Sequence, residues 1–179
     1  MNITVYLGSN EGKRPVFRQA VADLGAWIGA NGHTLIYGGS RIGLMGALAA
    51  AVKKAGGWVI GVETSYFVDE KVQYTDLNQL LVTDTMAQRK EKLRELGDVF
   101  VAFPGGLGTL EEIAEVMTLA KIGQLNKPFC LLNIEGYYEP FRTLLNHMVV
   151  EGFLEEPWAQ DIYFADSLVE LYKFINENS

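Results

Sequence analysis

Two charged clusters in this 179-residue sequence have residue types and spacings suited to chemistry: the adjacent cations Arg89-Lys90 and the acidic pair Glu111-Glu112 with Glu115 close behind. Glu112 and Glu115 stand three apart, which puts both carboxylates on one face if the segment is helical. Arginine keeps its charge at any ordinary pH, so Arg89 can clamp or orient a partner but is not a natural base, and Lys90 can assist with charge. Each cluster also has a plain structural explanation. Thr109-x-x-Glu112 has the form of a capping box, in which the glutamate reaches back to a helix start. On pattern alone, capping and catalysis both stay open for Glu112. Asp84 or Thr85 can cap a helix whose first turns carry Arg89 and Lys90. Cations there oppose the helix dipole, so a bound anion or a carboxylate partner would compensate them. The alternative is a solvated face, because Glu91, Lys92, Arg94 and Glu95 continue a mixed run with favourable spacings such as Glu91 to Arg94.

Other chemistries find little support. His33 and His147 are isolated, without cysteine or a second histidine at metal-ligand spacing, so no metal site is expected. Ser9 and Ser40 lack a His/Asp set that would make a nucleophile of either hydroxyl. The single cysteine, Cys130, cannot close an internal disulfide and reads as buried packing within Pro128 to Leu132. A net charge of −7 argues against a nucleic-acid backbone as partner, although a small anion in a local basic pocket is compatible with it. The first residues, Met1 to Leu7, read as a strand and lack the basic start and apolar stretch of a signal peptide. No segment approaches the roughly 18 apolar residues that span a bilayer, so a soluble, cytoplasmic protein without membrane attachment is expected.

The elements that must position these groups announce themselves by pattern. Short apolar runs occur at Ile3 to Leu7, Thr34 to Tyr37, Trp58 to Val62, Leu80 to Thr83, Val99 to Phe103 and Phe129 to Leu132. Successive rather than alternating apolar positions mark strands buried on both faces of a parallel sheet. Helical patterns such as Val16-Ala20-Leu24-Ile28, Leu44-Leu48-Val52 and Leu168-Leu171-Phe174-Ile175 lie between or after them. The expected fold is therefore α/β: a single Rossmann-like, doubly wound domain over residues 1–179, with a mainly parallel sheet flanked by helices. Gly32, Gly56-Gly57 and Gly97 each follow a helical stretch and are expected to be left-handed caps. Three strands end in glycine loops: Gly8-Ser9, Gly38-Gly39 through Gly46, and Gly105-Gly106 through Gly108 after Pro104. In an open parallel sheet such loops emerge at the strands' carboxyl ends, where ligands bind at a switch in strand order. The three are expected to converge on one crevice and, with a helix start, to hold a phosphate. None is a Walker A loop, and no acidic residue at the expected offset completes a dinucleotide fingerprint.

Taken together, these segments resemble the LOG family of cytokinin riboside 5′-monophosphate phosphoribohydrolases, often labelled possible lysine decarboxylases, over nearly the whole chain. Pro104 to Glu112 matches the family's Pro-Gly-Gly-x-Gly-Thr-x-x-Glu motif without mismatch, Arg89-Lys90 match its upstream pair, and Gly38 to Gly46 match its second glycine stretch. Two departures are Ser40, in place of a usual third glycine, and Ala87-Gln88, where many members have His-Glu. The resemblance implies that Arg89 and Glu112 are the catalytic pair and that Gly105, Gly106, Gly108 and Thr109 bind phosphate. Gly8, Ser9, Gly38, Gly39, Met86, Lys90, Pro104 and Glu115 are expected to complete the substrate site. It also implies hydrolysis of the N-glycosidic bond of an adenine or N6-substituted adenine nucleoside 5′-monophosphate. Cleavage of that bond passes through an oxocarbenium-like state, which a carboxylate such as Glu112 stabilises while it orients or activates water. No metal or organic cofactor is required, and nothing in the sequence suggests a pyridoxal phosphate site. The alternative is a non-catalytic nucleotide-binding or carrier module on the same fold. Family members pair, so a homodimer or larger homo-oligomer is expected, with Ile113, Met117, Ala120 and Ile122 offering a surface unless they pack in the core.

Overall fold

The computed structural model describes every residue except Lys71, that is 1–70 and 72–179. Seven parallel strands form one sheet: β1 (Asn2–Tyr6), β2 (Thr34–Tyr37), β3 (Trp58–Thr64), β4 (Gln79–Thr83), β5 (Val99–Ala102), β6 (Phe129–Leu132) and β7 (Tyr163–Ala165), in the spatial order β4-β3-β2-β1-β5-β6-β7. Strand order reverses between β1 and β5, paired in register from Ile3–Val99 to Tyr6–Ala102. A crevice opens there because the connections leaving the two strands run to opposite sides.

Among the described residues eight α-helices cover the sheet: α1 (Pro15–Ala30), α2 (Gly43–Lys54), α3 (Ser65–Asp69), α4 (Met86–Leu96), α5 (Leu107–Lys121), α6 (Glu139–Val150), α7 (Glu156–Asp161) and α8 (Leu168–Glu177). The apolar positions divide by strand alternation. On one face Ile3, Val5, Leu35 and Val101 pack with Leu24 and Ile28 of α1, Leu48 and Val52 of α2, and Leu171 and Ile175 of α8. On the other, Tyr6, Ile36, Val62 and Phe100 pack with Leu93 of α4, Ile113 and Val116 of α5, and Leu145 of α6. The doubly wound α/β architecture read from the sequence is the one observed.

Helix α1 lies directly on α2. A Cβ at Gly25 would fall 2.6 Å from the Ala51 Cβ and 2.9 Å from the Leu48 carbonyl oxygen, and one at Gly29 would fall 2.8 Å from the Val52 oxygen. Only glycine permits this approach.

Several expectations are corrected. Gly32 and Gly56 have the expected positive φ, +69° and +80°, but Gly57 does not, and Gly97 is extended at φ −73°. Its glycine serves close approach instead, because a Cβ would meet Thr4 Oγ1 at 2.2 Å. Ile113 and Met117, expected on an oligomer surface, are buried in the core beneath α5, while Ile122 beyond the helix end is exposed. Strand β7, three residues long, went unread, and β3 continues two residues past Val62 to include Glu63 and Thr64.

Candidate active site

Helix α4 begins at a capping box. Thr85 Oγ1 accepts from the Gln88 amide, and the Gln88 side chain accepts from the amides of Asp84 and Thr85. Thr85, rather than Asp84, is thus the cap, and Gln88 has a structural role. The cap fixes the helix so that Arg89 turns inward between the tips of β2 and β3. Its Nε donates to the Val62 carbonyl at 2.9 Å, Nη1 to Glu112 Oε1 at 2.9 Å, and Nη2 to the Gly38 carbonyl at 3.3 Å. Nε also lies 3.4 Å from Glu63 Oε1. Gly38 is glycine for this reason: a Cβ there would stand 2.3 Å from Arg89 Nη2.

One guanidinium is therefore held by two carboxylates and two carbonyls. The side chains of Glu63, Arg89 and Glu112 are 4%, 9% and 13% exposed. Burial disfavours the charged form of a carboxyl, and it pushes both glutamates above their ordinary range. For Glu63 the pull of Arg89 and of the Thr64 amide, and for Glu112 the pull of Arg89, works the other way without cancelling it. The compensation that the position of Arg89 called for is thus supplied by the protein. Lys90 finds its own partners, Glu111 at 2.7 Å and Glu115 at 3.4 Å.

Glu112 is not a cap. Helix α5 starts at Leu107 with Gly106 as its N-cap and no side-chain cap bond, so Thr109 and Glu112 both lie inside the helix. The capping-box reading gives way because the helix begins before Thr109.

The pair sits in the wall of a cavity of about 380 Å³, lined by Leu7, Gly8 and Ser9 after β1, Ser40, Ile42 and Met45 after β2, and Gly106 to Thr109 at the start of α5. Glu63, Phe67, Val72, Met86, Glu111 and Glu112 complete it with Arg89. The three glycine loops do converge. At one end lies the α5 N-terminus, whose first amides have no partner within the helix and whose dipole favours negative charge. The other end is apolar, formed by Ile42, Met45, Phe67 and Val72. Ser40 fastens that end: it receives the Ile42 amide at 3.1 Å, while the Arg41 amide donates to the Val72 oxygen at 2.8 Å and the Tyr74 amide to the Gly39 oxygen at 2.8 Å. Its hydroxyl thereby ties the departure from glycine to the apolar wall. A second recess of about 260 Å³ adjoins the first through Gly8, Ser9 and Gly106, and includes Pro104, Gly105 and Tyr137.

This geometry has relatives. A family profile described as possible lysine decarboxylase matches residues 45–175. The cytokinin riboside 5′-monophosphate phosphoribohydrolase LOG of Oryza sativa subsp. japonica is 37% identical over 175 residues, covering 98% of this chain and 72% of that protein. The chain belongs to the LOG family. A cytokinin riboside 5′-monophosphate phosphoribohydrolase of Rhodococcoides fascians is 41% identical over 154 residues, 86% of this chain and 78% of the relative. Among solved structures, the molybdenum cofactor binding protein of Rippkaea orientalis superposes with a TM-score of 0.74 over 98% of this chain and 95% of its own, at 24% identity, and so shares the fold.

In this LOG-family chain the structure brings together Gly8, Ser9, Met86, Arg89, Gly106, Gly108, Thr109 and Glu112 as cavity lining. Pro104 and Gly105 line the adjoining recess. Gly38 acts from behind through Arg89, and Gly39 through its carbonyl bond to Tyr74. Lys90 and Glu115 do not line the cavity. They join α4 to α5 outside it, where Glu115 also pairs with Arg94 at 2.8 Å. Sequence reasoning missed Glu63 and the apolar group Ile42, Met45, Phe67 and Val72. A signal for Glu63 existed: a charged residue closing a strand buried on both faces.

Proposed function

We propose that this protein hydrolyses the N-glycosidic bond of a purine nucleoside 5′-monophosphate, an adenine or N6-substituted adenine nucleotide, to free base and ribose 5-phosphate. The observation that carries the reading is the buried Arg89–Glu112 pair, at 2.9 Å, in the wall of a cavity that ends on a helix N-terminus. Among lining groups, three carboxylates stand against one guanidinium. A phosphate is therefore better placed against the α5 amides than among these side chains. That placement brings the sugar beside Glu112. Its carboxylate stabilises the positive charge that develops on the ribose ring as the base departs with the bonding electron pair, and receives one proton of the attacking water; the base takes up a proton in turn, so that water ends as the ribose hydroxyl and the N–H of the free base. Arg89 remains cationic and holds Glu112 in place, with Glu63 and two backbone carbonyls fixing its own position. The names of the relatives, cytokinin riboside 5′-monophosphate phosphoribohydrolases, support the same reaction.

The proposal includes residues 1–179 as one nucleotide-binding domain, a cytoplasmic location and a homodimer or larger homo-oligomer. Among the described residues no helix is long and apolar enough to cross a membrane. Incubation with AMP, adenosine and N6-isopentenyl-AMP, followed by chromatography, tests the reaction. Free base and ribose 5-phosphate are expected from the monophosphates, with adenosine turned over far less efficiently because the phosphate anchor is lost. Selective binding of AMP without release of base would replace the hydrolase by a carrier module on the same fold.

A further inference from the structure

Glu63 has no role in the mechanism above beyond holding Arg89, yet that role leaves it poorly explained. Arg89 already has Glu112 and two carbonyl acceptors. Burying a second carboxylate beside one cation costs several kcal/mol unless further donors meet it. The contacts Glu63 does make, with the Thr64 amide at 3.0 Å and Arg89 Nε at 3.4 Å, both fall on Oε1. The side chain is 4% exposed, and the exposure it has is to the cavity it lines.

Its position along the cavity says what it would meet. The phosphate end is at the start of α5, following β5, whereas Glu63 is the second-to-last residue of β3. Strands β5, β1, β2 and β3 are consecutive neighbours, so three inter-strand steps, roughly 14 Å, separate the backbone tips of β5 and β3, and between them Arg89 holds Glu112 and Glu63 on one guanidinium. A nucleoside monophosphate extended across that distance places its phosphate at α5, its sugar at Glu112 and its base at the tips of β2 and β3. There the base lies among Met45, Phe67 and Val72, beside Glu63 and the Arg89 guanidinium that Glu63 contacts; of the two, only the carboxylate can accept a hydrogen bond. A carboxylate accepts hydrogen bonds and rejects carbonyl edges.

We infer that Glu63 is a specificity residue that accepts a hydrogen bond from the exocyclic 6-amino group of the purine, selecting 6-aminopurine nucleotides. The inference rests on the nucleotide reading above. An N6-substituted adenine keeps one N–H and satisfies the same acceptor, while the substituent lies against the apolar wall. Guanine offers other N–H donors to a carboxylate, but it presents a carbonyl where adenine has its amino group.

The test compares AMP, purine riboside 5′-monophosphate, which has hydrogen at position 6, and GMP, by calorimetric titration and by kcat/KM on the wild type and on Glu63→Gln. The wild type is expected to favour AMP over the unsubstituted purine nucleotide on the order of 10- to 100-fold, the value of one hydrogen bond to a charged group. Glu63→Gln is expected to shrink that ratio about 10-fold by losing AMP affinity while binding of the unsubstituted nucleotide holds. Equal wild-type affinity for the two overturns the inference, and this result needs no variant. A uniform loss on both substrates in Glu63→Gln also overturns it, leaving only a positioning role on Arg89. Preference for GMP overturns the assignment to a 6-amino group. Because titration reads selectivity without turnover, absence of base release beside selective AMP binding removes the hydrolase reading and leaves the base assignment standing.

Discussion

Among the ion pairs that join α4 to α5, two start from neighbouring residues: Arg89 with Glu112, and Lys90 with Glu111. Both are close, at 2.9 and 2.7 Å, and sequence alone gives little reason to rank them. Their surroundings differ completely. A step of one residue turns a helix by about 100°, which takes Arg89 under the tips of β2 and β3 and leaves Lys90 at the rim against Glu111, whose side chain is 59% exposed. In the first pair the cation is held from several directions and both partners are desolvated. In the second, Lys90 is 17% exposed, but water competes for its open partner Glu111. Contact distance is therefore a poor guide to what an ion pair does, and the number of independent constraints on the cation is a better one.

The largest expected effects come from the buried pair. Arg89→Ala strands two buried carboxylates, so stability should fall by roughly 3–5 kcal/mol and base release by on the order of 100-fold or more. Glu112→Gln should lose a similar factor in turnover with a much smaller change in melting temperature, since the amide oxygen can still accept from Arg89 and Glu63 remains as counterion. Melting curves and product assays on the same preparations check both. Near-parental turnover in Glu112→Gln would remove that residue from the reaction.

A pH series sharpens the contrast. Burial raises the Glu112 carboxyl above its ordinary value, so the ionised form is lost on acidification before pH 4.5 is reached. kcat should fall along an acid limb with a midpoint above 4.5, and the residual activity of Glu112→Gln should lack that limb. Stability moves in the opposite sense, because the protonated form is the easier one to bury. This contribution is full below 4.5 and is lost as the pH rises through the raised folded value. The melting temperature of Glu112→Gln should therefore gain on that of the wild type between pH 4.5 and neutrality.

The smallest effect belongs to the rim. Lys90→Ala should cost about 1 kcal/mol, because the carboxylate it leaves behind on Glu111 is open to water, and change turnover by no more than a few-fold. A loss comparable to that of Arg89→Ala would break the distinction between the two pairs and place Lys90 in direct contact with substrate.

Much of this was legible in the residues. Six of the seven strands were marked by short apolar runs, because a strand covered on both faces must be apolar at successive positions. The convergence of the glycine loops followed from parallel topology. What periodicity could not supply was rotation. Whether Glu112 faced back to a cap or inward to Arg89 depended on where α5 begins, and a shift of two or three residues in that boundary decides the matter. Glu63 escaped because a charge was read as the end of a strand, when the strand in fact carries it into the site. Ile113 and Met117 carried an apolar stripe that core and surface could equally claim, and α5 spends them on the core.

The glycines of α1 have a mechanical consequence. With no side chain on Gly25 or Gly29 and only the methyl groups of Ala51 and Ala55 facing them, α2 has no compressible cushion beneath it. It is a stiff rod of twelve residues, roughly 18 Å long, and its leading end carries Leu44 and Met45 beside the cavity. Any thickening at Gly25 or Gly29 would lift the rod from below and tilt that leading end, displacing the apolar wall without altering a residue that faces it. The dimensions of the cavity are thus set in part by the thickness of a helix seam on the opposite side of the sheet from Arg89 and Glu112, where no ligand reaches.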